Sequence, residues 1–139
     1  MKKMKLTLLC TLLLFVLKIE AQTFQWSNTI VGLYFNWGYT EIMHSAVDKN
    51  GNLYTVGGFF NQQAFNGTVL AGSLYKNSGF VMKTSRDGNL IWVKQLSETV
   101  QNTSDCYVNN IALDTIGYLY ITGKITGTID VDGTAGGKH

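Results

Sequence analysis

Seven matches along this chain share one spacing: Trp26 with Trp92, Ala46 with Ala112, Asp48 with Asp114, Gly51 with Gly117, Leu53-Tyr54 with Leu119-Tyr120, Gly57 with Gly123, and Gly67-Thr68 with Gly133-Thr134, each 66 positions apart. One offset held without a gap across different residue types marks a structural repeat. Such a chain is confined to architectures in which each unit buries a face on its neighbour. The first copy runs from about 26 to 91 and the second from 92 to 139, where it is truncated relative to the first.

Within a copy, short β-branched and aromatic runs alternate with Gly, Asn and Asp, which is the pattern of strands and tight turns. Three glycine-bearing turns stand out: Lys49-Asn50-Gly51-Asn52, Arg86-Asp87-Gly88-Asn89 and the less regular Thr115-Ile116-Gly117-Tyr118. In each, glycine supplies the positive φ that a short hairpin loop requires. Reading outward from them predicts strands at Phe24 to Val31, Ile42 to Asp48, Leu53 to Phe60, Phe80 to Ser85, Leu90 to Leu96, Val108 to Asp114 and Leu119 to Ile125. Neighbours joined by short turns are antiparallel. Asn61 to Ser78, rich in Gly, Asn and Gln, reads as an elaborated loop with a short irregular strand around Thr68 to Ala71. The unit thus holds about four strands, the content of a propeller blade. The expected fold is all-β, with antiparallel four-stranded propeller-blade repeats amounting to about one and a half blades, after an N-terminal signal-peptide helix.

That signal peptide is expected over residues 1–21. Lys2, Lys3 and Lys5 precede an apolar run from Leu6 to Leu17, and Lys18-Ile19-Glu20-Ala21 leads into Gln22. This is the layout of a cleaved secretory signal. The run falls well short of the ~20 residues that span a bilayer, so no membrane span is expected in the mature chain. Lipidation at Cys10 is disfavoured, because Leu9 stands where a small residue is wanted. The signal holds four of the eleven basic residues and one of the nine acidic ones, which leaves seven against eight in residues 22–139. A near-neutral chain with singly scattered lysines offers no nucleic-acid footprint. Cys106 is the one cysteine after the signal, so the mature chain has no internal disulfide and depends on apolar burial.

The stretches Ala46-Val47-Asp48-Lys49-Asn50-Gly51-Asn52-Leu53-Tyr54-Thr55-Val56-Gly57-Gly58-Phe59 and Ala112-Leu113-Asp114-Thr115-Ile116-Gly117-Tyr118-Leu119-Tyr120-Ile121-Thr122-Gly123 resemble the core of SBBP-type repeats, the β-propeller repeats of secreted bacterial proteins. Phe80-Val81-Met82-Lys83, Asp87-Gly88-Asn89-Leu90-Ile91-Trp92 and Gly127-Thr128-Ile129-Asp130-Val131 are similar to the rest of that unit. The resemblance implies a secreted or cell-surface scaffold, in many members a large Gram-negative surface protein. It implies no particular chemistry.

The residues point the same way. Asp48 and Asp114 are a tempting catalytic pair, but a side chain that recurs at each strand-to-turn junction ordinarily caps the turn's N–H groups. Asp130 and Asp132 could share a calcium ion, and Asp48-Lys49-Asn50-Gly51-Asn52 alternates oxygen ligands, yet neither has the further ligands and distal Glu of an EF-type loop. His44 and His139 are solitary, and Cys106 reads as a small apolar filler at a blade contact. The tail Gly133-Thr134-Ala135-Gly136-Gly137-Lys138-His139 lacks phosphate-loop spacing. Trp26, Trp92, Tyr54 and Tyr120 recur with the repeat and are expected to pack between strands or blades. Tyr34, Phe35, Trp37 and Tyr39 have no counterpart in the second copy, and they are expected beneath the blade edge or, failing that, in a binding patch. No catalytic, cofactor-binding or metal residue is therefore assigned. The expected function is a non-enzymatic scaffold that binds a protein or glycan. The alternative is a secreted propeller enzyme whose catalytic residues lie in further blades or another domain. An outer-membrane barrel ranks last, because its strands would be longer and more regularly alternating.

By the repeat, Phe24 to Val31 corresponds to an outermost strand placed ahead of its own blade, and the second copy stops before its outer strands. Exposed strand edges and an uncovered blade face follow, and these favour pairing with another chain. Gln22 to His139 expressed alone is expected to be marginally stable and to associate, its natural form being longer. A sharp thermal transition from a concentration-independent monomer would overturn that expectation.

Overall fold

The computed structural model describes residues 25–33, 38–98 and 104–130. The signal segment, Tyr34, Phe35, Trp37, Asp132 and the glycine-rich tail all lie outside them. The described residues contain no helix and ten strands: β1 (Ile30–Gly32), β2 (Thr40–Val47), β3 (Leu53–Phe59), β4 (Gln62–Phe65), β5 (Thr68–Ala71), β6 (Ser78–Thr84), β7 (Leu90–Glu98), β8 (Asp105–Leu113), β9 (Leu119–Thr126) and β10 (Ile129–Asp130). Every pairing is antiparallel. The all-β reading and the propeller-blade content both hold.

The first blade is the run β2-β3-β6-β7 in the order expected from the sequence, with β10 added beyond β7. The second copy contributes the hairpin β8-β9. Alternation along β3 divides its side chains between two cores. Tyr54 and Val56 on one face join Val81 of β6 and meet Cys106, Val108 and Ile111 of β8, flanked by Trp92, Leu96, Leu113 and Leu119. Phe59 on the other face joins Phe80, Met82 and Phe65, flanked by Ile30, Leu70, Leu90 and Val93. The first core is the seam between the two copies. The second lies under a small sheet of order β1-β4-β5.

That small sheet departs from the sequence reading. Within Asn61 to Ser78, residues 62–71 form a hairpin, with β4 paired to β5 through Asn66-Gly67. Both turn residues take positive φ, 45° and 88°, as a two-residue hairpin loop demands. The predicted strand at Thr68 to Ala71 is β5, whereas β4 looked like loop because it begins Gln62-Gln63. Gln63 is nonetheless fully buried, and its amide Nε2 donates to the Phe60 carbonyl at 2.9 Å. The first strand also differs: of the expected Phe24 to Val31, Phe24 lies outside the described residues, and of residues 25–31 only Ile30 and Val31 fall in a strand. Residues 25–29 form no ladder, because the described residues hold no strand corresponding to β6 ahead of the first blade. Instead Trp26 Nε1 donates to the Arg86 carbonyl at 2.8 Å and Asn28 Nδ2 to the Gly88 carbonyl at 2.9 Å.

The 66-residue repeat extends to backbone detail. In β2–β3 the register slips between Ile42 and His44, and in β8–β9 it slips between Val108 and Asn110, the same positions one repeat on. Each bulge sets a carbonyl, of Glu41 or Tyr107, where a Cβ on Gly57 or Gly123 would stand. The recurrent glycine is therefore required by close backbone approach rather than by φ. Gly57→Ala is predicted to cost about 1–3 kcal/mol. The adjacent Gly58→Ala, whose Cβ would meet only ordinary contacts near 3.8 Å, serves as the control and is expected to cost much less. Urea unfolding of both variants checks this.

Candidate functional site

The two copies present their first turns side by side. Asp48 directly follows β2, and its Oδ1 accepts from the N–H groups of Asn50 and Asn52, both at 2.9 Å, while Oδ2 accepts from Asn52 Nδ2 at 2.8 Å. Asp114 directly follows β8, and its Oδ1 accepts from the N–H groups of Ile116 at 3.0 Å, Gly117 at 2.7 Å and Tyr118 at 2.8 Å. Gly51 and Gly117 hold the positive φ, 82° and 100°, that closes each turn. The expected turn-capping role is what the hydrogen bonds show. The copies differ where their sequences do: Tyr118 replaces Asn52, and Asp114 Oδ2 takes a 3.3 Å bond from the Tyr120 hydroxyl instead of one from a turn amide.

Between the turns lies a cleft of about 430 Å3, lined among others by Val47, Asp48, Tyr54, Lys83, Asp114 and Thr115. Lys83 is the residue that sequence reasoning missed, having counted only among the singly scattered lysines. Its Nζ lies 3.8 Å from Asp48 Oδ2 and 4.8 Å from the centre of the Tyr54 ring. The available signal was alternation on β6, where Val81 and Lys83 share a face and Val81 is core. The Asn52 side-chain hydrogen bond, with those of the turn N–H groups and the charge of Lys83, holds the Asp48 carboxyl below its ordinary value against some desolvation. Hydrogen bonding to Tyr54, ahead of the Asp48 charge, holds the Lys83 ammonium above its own. A depressed carboxylate beside a fixed ammonium is a poor proton acceptor at neutral pH and a good structural tie.

Cys106 is buried in the seam, and desolvation pushes its thiol above the ordinary value despite a bond to the Gly79 backbone. His44 is exposed on β2. Trp92 packs edge-on against Tyr54 at 6.1 Å, as expected of a repeat-borne aromatic. The repeat counterparts of Trp92 and Tyr54 behave differently: Trp26 lies against the turn at Gly88, and Tyr120 is exposed. Tyr39 stacks on Phe60 at 5.2 Å and donates to Asn77 Oδ1 at 2.9 Å, while remaining about half exposed. The Asp130 backbone pairs with Ser97, but Asp132 and the tail, and with them the calcium question, fall outside the described residues. Among the described residues, no three metal-ligating side chains gather, and no helix is long and apolar enough to cross a membrane.

A four-stranded antiparallel blade that packs one face on the hairpin of the following copy, at a constant repeat offset, is the arrangement of β-propeller repeats. Residues 91–129, from the outermost strand of the first blade to the start of β10, match the SBBP beta-propeller repeat family. Neither a curated protein nor a solved structure matches the chain.

Asp48→Ala is predicted to lower the melting temperature at neutral pH. Because the folded carboxyl titrates below its ordinary value of 3.8, its stabilisation is full above that pH and is lost as the pH falls through the folded value. The gap between wild type and variant should therefore close in acid. A gap that persists undiminished at pH 2 would be inconsistent with this account.

Proposed function

We propose that the protein is an exported, non-enzymatic β-propeller repeat scaffold that binds a protein or glycan partner outside the cell or at its surface. The observation that carries this reading is the engagement of both repeat-related carboxylates, Asp48 and Asp114, by their own turns. A carboxylate that holds three hydrogen bonds in place is suited to rigidity, and rigid blades suit the display of loops. Export is supported by the basic and apolar layout of residues 1–21 and by the secreted character implied by the resemblance.

The loop between β5 and β6 is the best-anchored candidate for such display. Ser73 Oγ accepts from the N–H groups of Tyr75 and Lys76, both at 3.1 Å, and the Lys76 ammonium pairs with Asp105 Oδ2 at 3.3 Å. Leu74 and Tyr75 are left exposed at its tip, Tyr75 by 71%. Apolar side chains on a fixed loop are characteristic of a contact surface.

Glycan-array and protein pull-down experiments with the full-length product test the proposal. Capture of a partner, lost in a Leu74→Ser, Tyr75→Ser double variant whose circular dichroism is unchanged, is the expected result. Chemical turnover of the captured partner would replace the scaffold reading with that of a propeller enzyme.

A further inference from the structure

Two Asn-Gly pairs sit in hairpin turns, Asn50-Gly51 and Asn66-Gly67, and the structure treats them oppositely. An Asn-Gly pair is chemically vulnerable, because glycine has no side chain to keep its backbone nitrogen away from the asparagine amide. In the first turn that nitrogen is engaged. The Gly51 N–H donates to the Asp48 carbonyl at 3.0 Å, and the N–H groups on either side of it, of Asn50 and Asn52, are held by Asp48 Oδ1. The Arg86 side chain also lies over Gly51, 3.2 Å from where a Cβ would stand. In the second turn, among the described residues, neither the Gly67 N–H nor the Asn66 side chain forms a hydrogen bond, and nothing lies within 4 Å of a Cβ built on Gly67. Asn66 and Gly67 are both exposed.

That openness belongs to the rim of the fold. β1 is the repeat counterpart of the tail of β7, the outermost strand, and β4 pairs with it in the register that β10 keeps with β7, at the outer edge of the blade. Blades pack on one another through their faces, as in the seam, whereas this hairpin is added edge to edge. The second copy also carries Asp132-Gly133-Thr134 where the first has Asn66-Gly67-Thr68, so an aspartate stands there in the repeat.

We propose that Asn66 is a site of spontaneous deamidation to aspartate and isoaspartate, that Asn50 is protected by its turn, and that the isoaspartate product loosens the β4-β5 hairpin. Gly67 N attacks Asn66 Cγ: the N–Cγ bond forms, the Cγ–Nδ2 bond breaks, and the Gly67 amide proton leaves with the departing ammonia. Water then opens the cyclic imide. Cleavage between Cγ and N restores the ordinary backbone with an aspartate, which tolerates positive φ as asparagine does. Cleavage between the main-chain carbonyl carbon and N instead routes the backbone through Cβ and Cγ, adding a methylene to a two-residue loop. Phe65 and Thr68 are paired across that loop, and Phe65 is fully buried against Phe59 and Phe80. A lengthened loop disturbs this pairing and the core beneath it. The inference is independent of the binding role of Leu74 and Tyr75.

Timed incubation of the full-length protein in mildly alkaline buffer, native and in urea, tests it, with peptide mapping that separates asparagine, aspartate and isoaspartate at both positions. In urea the two pairs should react at comparable rates. In the native protein Asn66 should convert about tenfold or more faster than Asn50, because the Asp48 hydrogen bonds must open before Gly51 N is free. The isoaspartate form should unfold at a lower urea concentration than the unmodified protein, and an Asn66→Asp variant should not. Equal native rates at the two pairs, or an isoaspartate form as stable as the Asn66→Asp variant, would each overturn the proposal.

Discussion

The meeting of Tyr54, Val56 and Val81 with Cys106, Val108 and Ile111 organises everything else in the chain. A four-stranded sheet has two apolar faces and cannot leave both in water. Here one face is closed by the following repeat and the other by a hairpin grown from the blade's own inner connection. The seam explains why Cys106 is small and buried, and why Gly79 sits opposite it: a Cβ there would press on Cys106 Sγ and Val108. Burial of this kind favours the uncharged thiol, and the cysteine fills the seam as a small apolar side chain.

Much of this arrangement was legible beforehand, and for identifiable reasons. The pairs Asp48/Asp114 and Gly57/Gly123 recur because each blade must solve the same local problem, a capped turn and a carbonyl pressed against the opposite strand. Local problems leave local signatures. β4 was missed because its stabilising term is not local: Gln63 looks solvated in sequence and becomes buried only when its amide meets the Phe60 carbonyl and its strand lies beside β1. The Asn66-Gly67 pair, a strong hairpin signal, was the clue available. Residues 25–29 show the converse, since a segment with strand-like sequence stays out of the ladder when no partner strand among the described residues lies beside it. In the cleft, Asp48 and Asp114 could be placed from their spacing, but Lys83 could not, because its tie to Asp48 crosses from the third strand of the blade to the turn joining the first two.

The turns also show how a repeat tolerates change. Asn52 and Tyr118 occupy the same position and differ in every chemical respect, yet Asp48 and Asp114 both keep their backbone bonds. The second lone-pair direction is served by an amide in one copy and by the hydroxyl of Tyr120 in the other. What the fold requires is the carboxylate and the glycine; the remaining partner is negotiable, which leaves the turn tips free to diverge.

The small sheet and β10 share one register rule. Val31 pairs with Ala64 and Gly32 with Gln63; one repeat on, Ser97 pairs with Asp130 and Glu98 with Ile129. The tail of β7 thus reaches past its own blade to pair with β10 of the next copy, as β1 pairs with β4 one repeat earlier, like overlapping roof tiles. A boundary drawn in sequence at the repeat junction does not coincide with any boundary in space. A force applied along the chain would be met by backbone ladders as well as by side-chain packing, so neighbouring blades are expected to yield together rather than one at a time.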